Sequence, residues 1–311
     1  ELIIIDDGST DLTPTILNSF SRKDSRIRLI KNSTRQGISS ALNLAAKVAR
    51  GELLARMDAD DCAHEMRFAL QASAFRQTAG LVLCGSNAIQ TDEEMRSLFR
   101  IVFPVSDWDI RCTALFENPF AHPSVMMQAD AFRRVGGYNE QYSTTQDYEL
   151  WIRLLEQGEV RNLSDPLIKI RRHDKSVSAR MNQEQADRTA EVQRDYARQW
   201  LGLSDWHESR FRNIREHLYR GPSSTTGHRL SARVIRDALA IVSRLKERYP
   251  EKHSIWLKDY VVGRCIWSAF RKPSDLDNVF RVIGLIVCRP LASVRGVAQL
   301  VRAGFRRRLS R

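Results

Sequence analysis

Acidic side chains follow two apolar segments of this 311-residue chain. Asp6 and Asp7 come directly after the apolar residues 2–5, and the segment DADD at positions 58–61 comes directly after the predicted strand LLARM at 53–57. In open α/β sheets, ligands bind outside the carboxyl ends of the strands. Several carboxylates at one such edge repel one another unless a cation neutralises them. The pattern therefore predicts a divalent-metal site for a phosphorylated ligand.

The spacing of Asp58 and Asp60 suits a division of labour at that site. Carboxylates are hard oxygen ligands, and Mg²⁺ or Mn²⁺ takes one or two of them together with water and substrate phosphates. One aspartate of such a pair can hold the metal while the other reaches a sugar or ribose hydroxyl. Aspartate is also frequent in turns and as a helix cap, so a purely structural role remains open for both residues.

A further acid, Asp147, stands where the segment QDYELW begins an amphipathic helix. The apolar face of this helix is predicted to carry Leu150, Trp151, Leu154 and Leu155, with Trp151 in the core. An aspartate at this position can cap the free N–H groups of the first turn and is favoured by the helix dipole. The same carboxylate can also take up a proton from a substrate. The two roles are compatible, and the pattern does not choose between them.

The elements that carry these acids alternate in type along the first half of the chain. Apolar runs bounded by turn residues predict strands, and residues with a helical apolar spacing predict helices between them. The predicted strands cover residues 2–5, 26–31, 53–57, 81–85 and 166–173, and the predicted helices cover 11–22, 37–50 and 65–77. This alternation favours an α/β fold with a mostly parallel, doubly wound sheet flanked by helices.

Charge separates the two halves of the chain. Residues 1–175 hold 22 Lys and Arg against 24 Asp and Glu, whereas the remaining residues hold 27 against 13. From about residue 179 onward the pattern is helical and rich in arginine. The five cysteines form no CxxC pair, which argues against a zinc site or a disulfide framework and favours a reducing compartment. No run of 18 apolar residues indicates a membrane span.

Four stretches carry a family resemblance: ELIIIDDGSTD, GISSALNLAAKVARGELLARMDADD, HPSVMMQADAFRRVGGYNE and TTQDYELWIRL. In this order they resemble family 2 glycosyltransferases of the GT-A fold. The resemblance covers residues 1–178 as a glycosyltransferase domain and leaves 179–311 as a basic, mainly α-helical region. Members of the family begin with one further strand and helix, so we expect this domain to be incomplete at its N-terminus. The all-apolar opening strand fits this expectation, because such strands are buried on both faces.

The resemblance implies a role for each candidate residue. Asp7 would contact the nucleotide base, and Asp58 would bind the ribose or sugar hydroxyls of the nucleotide-sugar. Asp60 would coordinate the metal that bridges the diphosphate. Asp147 would be the general base for the acceptor hydroxyl, and His173 would lie near the diphosphate.

The implied activity is that of a metal-dependent, inverting hexosyltransferase. It would move a sugar from a nucleotide-diphosphate-sugar to a hydroxyl of a glycan or lipid-linked acceptor, with Mg²⁺ or Mn²⁺ as cofactor. The implied process is the synthesis of a polysaccharide or a lipid-linked glycan. The stretches HPS and GGY are expected to shape the acceptor side, the glycine pair by forming a turn.

Two other functions are compatible with parts of the sequence. A nucleotidyltransferase on a similar α/β scaffold would be expected to carry a basic, glycine-rich phosphate-binding loop, and none appears in this sequence. A nucleic-acid-binding protein could use the basic half, but no recognised nucleic-acid motif is present, so we expect no nucleic-acid partner.

The C-terminal tail predicts an amphipathic basic helix. Leu291, Val294, Val297, Val301 and Phe305 follow one another at roughly helical spacing, and arginines flank them. Such a helix can lie on an anionic membrane surface or pack on its own domain. We therefore expect a cytoplasmic protein with peripheral contact at the inner face of the cell membrane.

Overall fold

The computed structural model describes residues 1–172, 183–218 and 232–252. The expected boundary after residue 178, the predicted site residue His173 and the amphipathic tail lie outside these ranges. Contacts divide the chain into two compact units. Unit 1 joins Glu1–Asp107 to Phe120–Arg188, and unit 2 joins Trp108–Pro119 to the chain from Thr189 onward.

Unit 1 begins with a small parallel sheet. Strand β1 (Leu2–Asp6) pairs in parallel with β2 (Ile27–Lys31), and helix α1 (Thr13–Lys23) connects them. Helix α2 (Ile38–Val48) follows β2 and packs on β1. These elements agree with the predicted ones to within one or two residues at most ends.

A six-stranded sheet forms the centre of unit 1. Five of its strands lie in the order β3-β7-β5-β8-β4, and β6 pairs with β5. Its strands are β3 (Leu53–Ala55), β4 (Cys62–Ala63), β5 (Leu81–Thr91), β6 (Ser97–Ile101), β7 (Met126–Gln128) and β8 (Glu159–Arg171). Its helices are α3 (Arg67–Gln77), α5 (Ala129–Arg134) and α6 (Gln146–Leu155), and a 3₁₀ turn covers His122–Ser124.

The predicted α/β class is confirmed, but the pairing within the larger sheet is more mixed than the mostly parallel arrangement expected. Only β5 and β8 pair in parallel in that sheet, and its other strand pairs are antiparallel. One reason is that β5 continues past the predicted residues 81–85 into a hairpin. In that hairpin Asp92 Oδ1 accepts the backbone N–H groups of Glu94 and Arg96 and turns the chain back into β6.

Helix α6 contributes several buried side chains to the core of unit 1. Its predicted apolar face is confirmed, because Leu150, Trp151 and Leu154 have no exposed surface and Leu155 is 2% exposed. The Trp151 ring packs edge-on against Phe120 at a centroid distance of 5.8 Å. Trp151 is therefore a core residue, as the sequence predicted, and helix α6 is held rigidly against the sheet.

Unit 2 is helical in its described residues. Its helices are α4, which starts at the boundary between the units (Asp107–Thr113), α7 (Gln183–Leu201), α8 (Glu208–Leu218) and α9 (Ala232–Arg248). A cluster of aromatic rings joins three of them: Trp200 of α7 contacts Trp108 of α4 and Tyr249 at the end of α9. In the part of the chain described, no helix has the length and apolar character needed to cross a membrane.

The glycine pair after α5 forms the predicted turn, and one of its members has no room for a side chain. Gly136 and Gly137 have φ angles of 82° and 72°, a region that L-residues avoid. A Cβ atom on Gly137 would lie 2.6 Å from Asn43 Oδ1 and 3.1 Å from the Phe132 ring. Gly80 has a similar φ of 77°, but a Cβ atom added there would meet no other atom within 4 Å.

This difference predicts unequal costs for two alanine substitutions. Gly80→Ala should lower the free energy of unfolding by about 1–2 kcal/mol, because only the backbone conformation is strained. Gly137→Ala should cost roughly 1–3 kcal/mol more, because a steric clash adds to the same strain. Urea denaturation of the two variants measures both costs. Equal costs would show that the packing around Gly137 gives way without penalty.

Candidate active site

Three carboxylates meet in the segment that follows β3. The strand ends at Ala55, the chain leaves the sheet, and Asp58, Asp60 and Asp61 then place one ligand oxygen each within 4.8 Å of one another. Asp58 and Asp61 are half-buried, and Asp60 is exposed. A set of hard oxygen donors on a partly exposed loop matches the chemistry of a Mg²⁺ or Mn²⁺ site.

Arg56 holds the first of these acids in place. Its guanidinium donates to both carboxylate oxygens of Asp58, and its own side chain is only 5% exposed, against 36% for Asp58. A bidentate pair with a buried arginine fixes both the position and the plane of a carboxylate. Asp58 is therefore pre-oriented, and part of its capacity to accept hydrogen bonds is already used.

Asp61 is a site residue that the sequence reasoning missed. Its Oδ1 accepts the backbone N–H of Arg171 at 3.0 Å, whereas its Oδ2 is buried and has no hydrogen-bond partner among the described residues. Burial raises the pKa of Asp61 to about 6, the charges of Asp58 and Asp60 add to this rise, and the Arg171 N–H opposes it. The sequence did contain a signal for Asp61, because it is the third acid of DADD. The prediction considered only the alternate positions Asp58 and Asp60.

Asp7 lies at the end of β1 in the smaller sheet and is tied to the start of α2. Its Oδ1 accepts from Asn32 Nδ2 at 2.7 Å and from the Gln36 N–H at 2.9 Å, and its Oδ2 accepts the Gly37 N–H at 2.8 Å. Burial raises the pKa of Asp7, but these hydrogen bonds outweigh burial and leave the pKa below its usual value. Asp7 is thus held as a charged carboxylate beside the first turn of a helix.

The negative charges of Asp147 and Asp58 both influence the Tyr138 hydroxyl, although the two residues are distant in the sequence. Asp147 lies in the first turn of α6, two residues after Thr145, which takes the left-handed conformation with φ 66°. Burial raises the pKa of the Tyr138 hydroxyl, Arg56 opposes the rise, and the charges of Asp147 and Asp58 both add to it. Both carboxylates therefore lie near enough to Tyr138 for their charges to influence its hydroxyl.

His122 and Tyr138 form a hydrogen-bonded pair in this region. His122 Nε2 lies 2.8 Å from the Tyr138 hydroxyl oxygen, and the His122 ring packs edge-on to Trp151. Burial lowers the pKa of His122 well below its usual value, and the positive charge of Arg56 lowers it further. His122 is therefore a neutral imidazole in the folded protein.

The roles predicted for Asp7, Asp58, Asp60, Asp147 and His173 stay predictions.

Comparison with known sequences identifies the family. The sequence profile described as "Glycosyl transferase family 2" matches residues 1–129. The protein EpsE of Bacillus subtilis is 31% identical over 210 residues, which cover 66% of this chain and 74% of EpsE. The chain therefore belongs to glycosyl transferase family 2.

Two other relatives extend this comparison. An uncharacterized glycosyltransferase of Haemophilus influenzae is 29% identical over 204 residues, which cover 63% of each chain. The O-antigen biosynthesis glycosyltransferase WbnJ of Escherichia coli is 30% identical over 181 residues, which cover 57% of this chain and 70% of WbnJ. Relatives of this chain thus include a protein named for O-antigen biosynthesis.

A solved structure supports the fold. The crystal structure of S. aureus TarS residues 1–349 in complex with UDP-GlcNAc has a TM-score of 0.53 and 16% sequence identity to this chain. The similarity covers 91% of this chain and 81% of the TarS chain. The GT-A fold predicted from the sequence is confirmed by this likeness.

The neutral state of His122 predicts a pH dependence of stability. The folded protein disfavours the imidazolium, whereas the unfolded chain gains a proton near pH 6.5. The free energy of unfolding should therefore fall as the pH drops below 6.5, with a contribution from His122 of at most about 1.4 kcal/mol per pH unit.

The variant His122→Gln keeps a hydrogen-bond partner for Tyr138 but does not titrate. Urea denaturation between pH 7.5 and 5.5 should show a smaller loss of stability for His122→Gln than for the wild type. The titration of Asp61 is common to both proteins and cancels in the difference. Parallel pH profiles would show that His122 charges freely in the folded state.

Proposed function

We propose that this chain is an inverting glycosyltransferase that moves a sugar from a nucleotide-diphosphate-sugar to an acceptor hydroxyl. One observation carries the proposal. The cluster of Asp58, Asp60 and Asp61 forms directly after β3, and the charge of Asp147 acts on the same Tyr138 hydroxyl as that of Asp58. The shared influence on Tyr138 supports a site in which the acid cluster would bind the donor and Asp147 would be the base.

The acidic segment, residues 58–61, fits a divalent cation. Its donors are hard carboxylate oxygens, and the buried Asp61 Oδ2 lacks a hydrogen-bond partner among the described residues, as a ligand atom would in the metal-free state. Asp60 and Asp61 would hold Mg²⁺ or Mn²⁺, since Asp58 is engaged by Arg56. When bound, the cation would neutralise the charge that develops on the departing diphosphate.

Asp58 and Asp7 would bind the nucleotide-sugar. Asp58, held in one orientation by Arg56, would accept hydrogen bonds from ribose or sugar hydroxyls. Asp7 accepts two hydrogen bonds on Oδ1 and one on Oδ2, so one acceptor site remains on Oδ2 for an N–H of the base. The UDP-GlcNAc bound by TarS supports a uridine diphosphate sugar as donor. His173 would lie near the diphosphate.

Asp147 would act as the general base. Asp147 lies in the first turn of α6, where the helix dipole favours a negative charge. Asp147 would accept the proton of the acceptor hydroxyl while the acceptor oxygen bonds to the anomeric carbon. The bond from that carbon to the diphosphate oxygen breaks in the same step, the nucleoside diphosphate departs, and the configuration inverts.

The relatives favour a glycan acceptor. WbnJ is named for O-antigen biosynthesis, and AmsE of Erwinia amylovora, another relative, is named for amylovoran biosynthesis. A hexose transferred to a growing glycan or lipid-linked acceptor is consistent with these names. Such an acceptor would place the enzyme in the cytoplasm at the inner face of the membrane, where the basic C-terminal region could contact anionic lipid.

Replacement of Asp147 by asparagine tests this proposal. Asp147→Asn should lower kcat by about 10²–10⁴-fold, because a positioned base contributes that much to a proton transfer. The dissociation constant for the nucleoside diphosphate should stay the same. The assay measures release of UDP or GDP from a panel of nucleotide-sugars in the presence of Mn²⁺ and glycan acceptors.

Glu149→Gln is the matched control, because Glu149 lies in the first turn of the same helix and forms an ion pair with Arg153. This control should keep kcat within a few-fold of the wild type. Full turnover in Asp147→Asn would show that another group is the base. Absence of turnover by the wild type with every donor would contradict the proposed activity itself.

A further inference from the structure

Arg67, the first residue of α3, is one of the most deeply buried large side chains of the protein, with 1% of its surface exposed. In the described part of the chain it forms no ion pair with a carboxylate. Burial lowers its pKa to about 10, and the nearby charge of Arg56 adds to this shift. Burying a guanidinium is costly, so the hydrogen bonds that it forms indicate what it does. Its Nε and Nη2 are bonded, whereas its Nη1 has no hydrogen-bond partner among the described residues.

The guanidinium of Arg67 bonds mainly to backbone. Its Nη2 donates to the carbonyl oxygens of Arg56 at 2.7 Å and Val125 at 3.1 Å. Its Nε donates to Gln71 Oε1 at 3.1 Å. The Nε and Nη2 donors of Arg67 form a planar fork that connects three segments. These are the residue after β3, the residue before β7, and helix α3, which carries Arg67 itself.

The two carbonyls mark the place where the acidic segment leaves the sheet. The last paired residues of β3 and β7 are Ala55 and Met126, and the Arg56 N–H still donates to the Val125 carbonyl at 3.0 Å. The Arg56 carbonyl lies beyond the paired residues of this ladder, and Arg67 supplies its donor. Met57 and the acidic segment follow at once, so the fork determines where that segment starts.

Gln71 anchors the fork in the core. It has no exposed surface, and its Nε2 donates to the Cys84 and Ser124 carbonyls, both at 2.8 Å. Arg67 is thereby connected to β5 and to the 3₁₀ turn that contains His122. This buried polar frame gives the Arg67 guanidinium a fixed position from which to hold the backbone beside the acids.

We propose that Arg67 is a positioning residue for the acidic segment, and that its hydrogen bonds to the Arg56 and Val125 carbonyls hold Asp60 and Asp61 in place for the metal and Asp58 in place for the nucleotide-sugar. The assignment rests on the proposed function, because the metal is part of it. An arginine is required since a lysine ammonium lacks the planar fork that serves the carbonyls and Gln71 together. Arg67 acts through the backbone and contacts no substrate.

The test compares Arg67→Lys with a control that removes another buried polar side chain. Asn162 in β8 has no exposed surface, and its Nδ2 donates to the Pro104 carbonyl at 2.7 Å. It pairs with Gly85 of β5, and Arg171, which contacts Asp61, pairs with Thr91 six residues further along that strand, so the rise of a strand places the two roughly 20 Å apart. Asn162→Ala thus provides destabilisation at a distance from the acids.

Two readouts separate positioning from general destabilisation. Hydrogen exchange of the amides in residues 56–63, which include the bonded N–H groups of Arg56 and Asp61, should be about tenfold faster in Arg67→Lys than in the wild type. Exchange in residues 81–88 of β5 should change equally in the two variants. Calorimetric titration with Mn²⁺ in the presence of UDP should show an affinity about tenfold weaker in Arg67→Lys and unchanged in Asn162→Ala.

Equal exchange of residues 56–63 in Arg67→Lys and Asn162→Ala would overturn the positioning role. If the wild type bound no Mn²⁺ with UDP, the proposed function would fail, and the exchange measurement would still decide whether Arg67 holds the segment. If Arg67→Lys did not fold, Gln71→Glu offers a second route, because it removes the donor to the Cys84 and Ser124 carbonyls and keeps an acceptor for Arg67. Normal exchange of residues 56–63 in that variant would also count against the frame.

Discussion

The mutual repulsion of three carboxylates is the constraint on which the site depends. At the observed separations each pair of charges costs between about 1 and 4 kcal/mol, according to its exposure to water. Two buried guanidinium groups reduce this cost without removing it: Arg56 binds Asp58 directly, and Arg67 lies behind the same backbone. Burial raises the pKa of Asp61, and the charges of Asp58 and Asp60 add to that rise, so repulsion within the cluster persists beside the two guanidinium groups. An added cation would reduce this repulsion.

The rest of unit 1 serves to keep this charged segment in one place. Strand β3 is only three residues long, so its own pairing with β7 offers little restraint. Strands β5 and β8 form a long parallel pair that supports the segment. At the end of β8, Arg171 binds both Asp61 and the Asp60 carbonyl. Helix α6, packed through Trp151, holds Asp147 near Tyr138, on which the charge of Asp58 also acts. Buried polar contacts thus replace regular pairing where the chain must leave the sheet.

Local patterns in the sequence were sufficient for most elements and for the acids at the strand ends. Helix α6 and its buried face followed directly from the spacing of Leu150, Trp151 and Leu154. The antiparallel partners of β5 could not be predicted in this way, because strand direction depends on distant segments and leaves no mark in a five-residue apolar run. The roles of Arg56 and Arg67 were equally hidden, since a buried arginine looks like any solvated one in sequence.

The central claim is that the acidic segment binds a metal together with a nucleoside diphosphate. The most direct measurement is the melting temperature of the full chain with UDP or GDP, each with and without Mn²⁺. Ligand at about a hundred times its dissociation constant should add about 2.7 kcal/mol and raise the melting temperature by a few degrees. The gain should require Mn²⁺ and disappear in Asp60→Ala, but persist in Asp130→Ala, which removes an exposed aspartate of α5. A gain that is independent of Mn²⁺, or no gain with either nucleotide, would contradict the account.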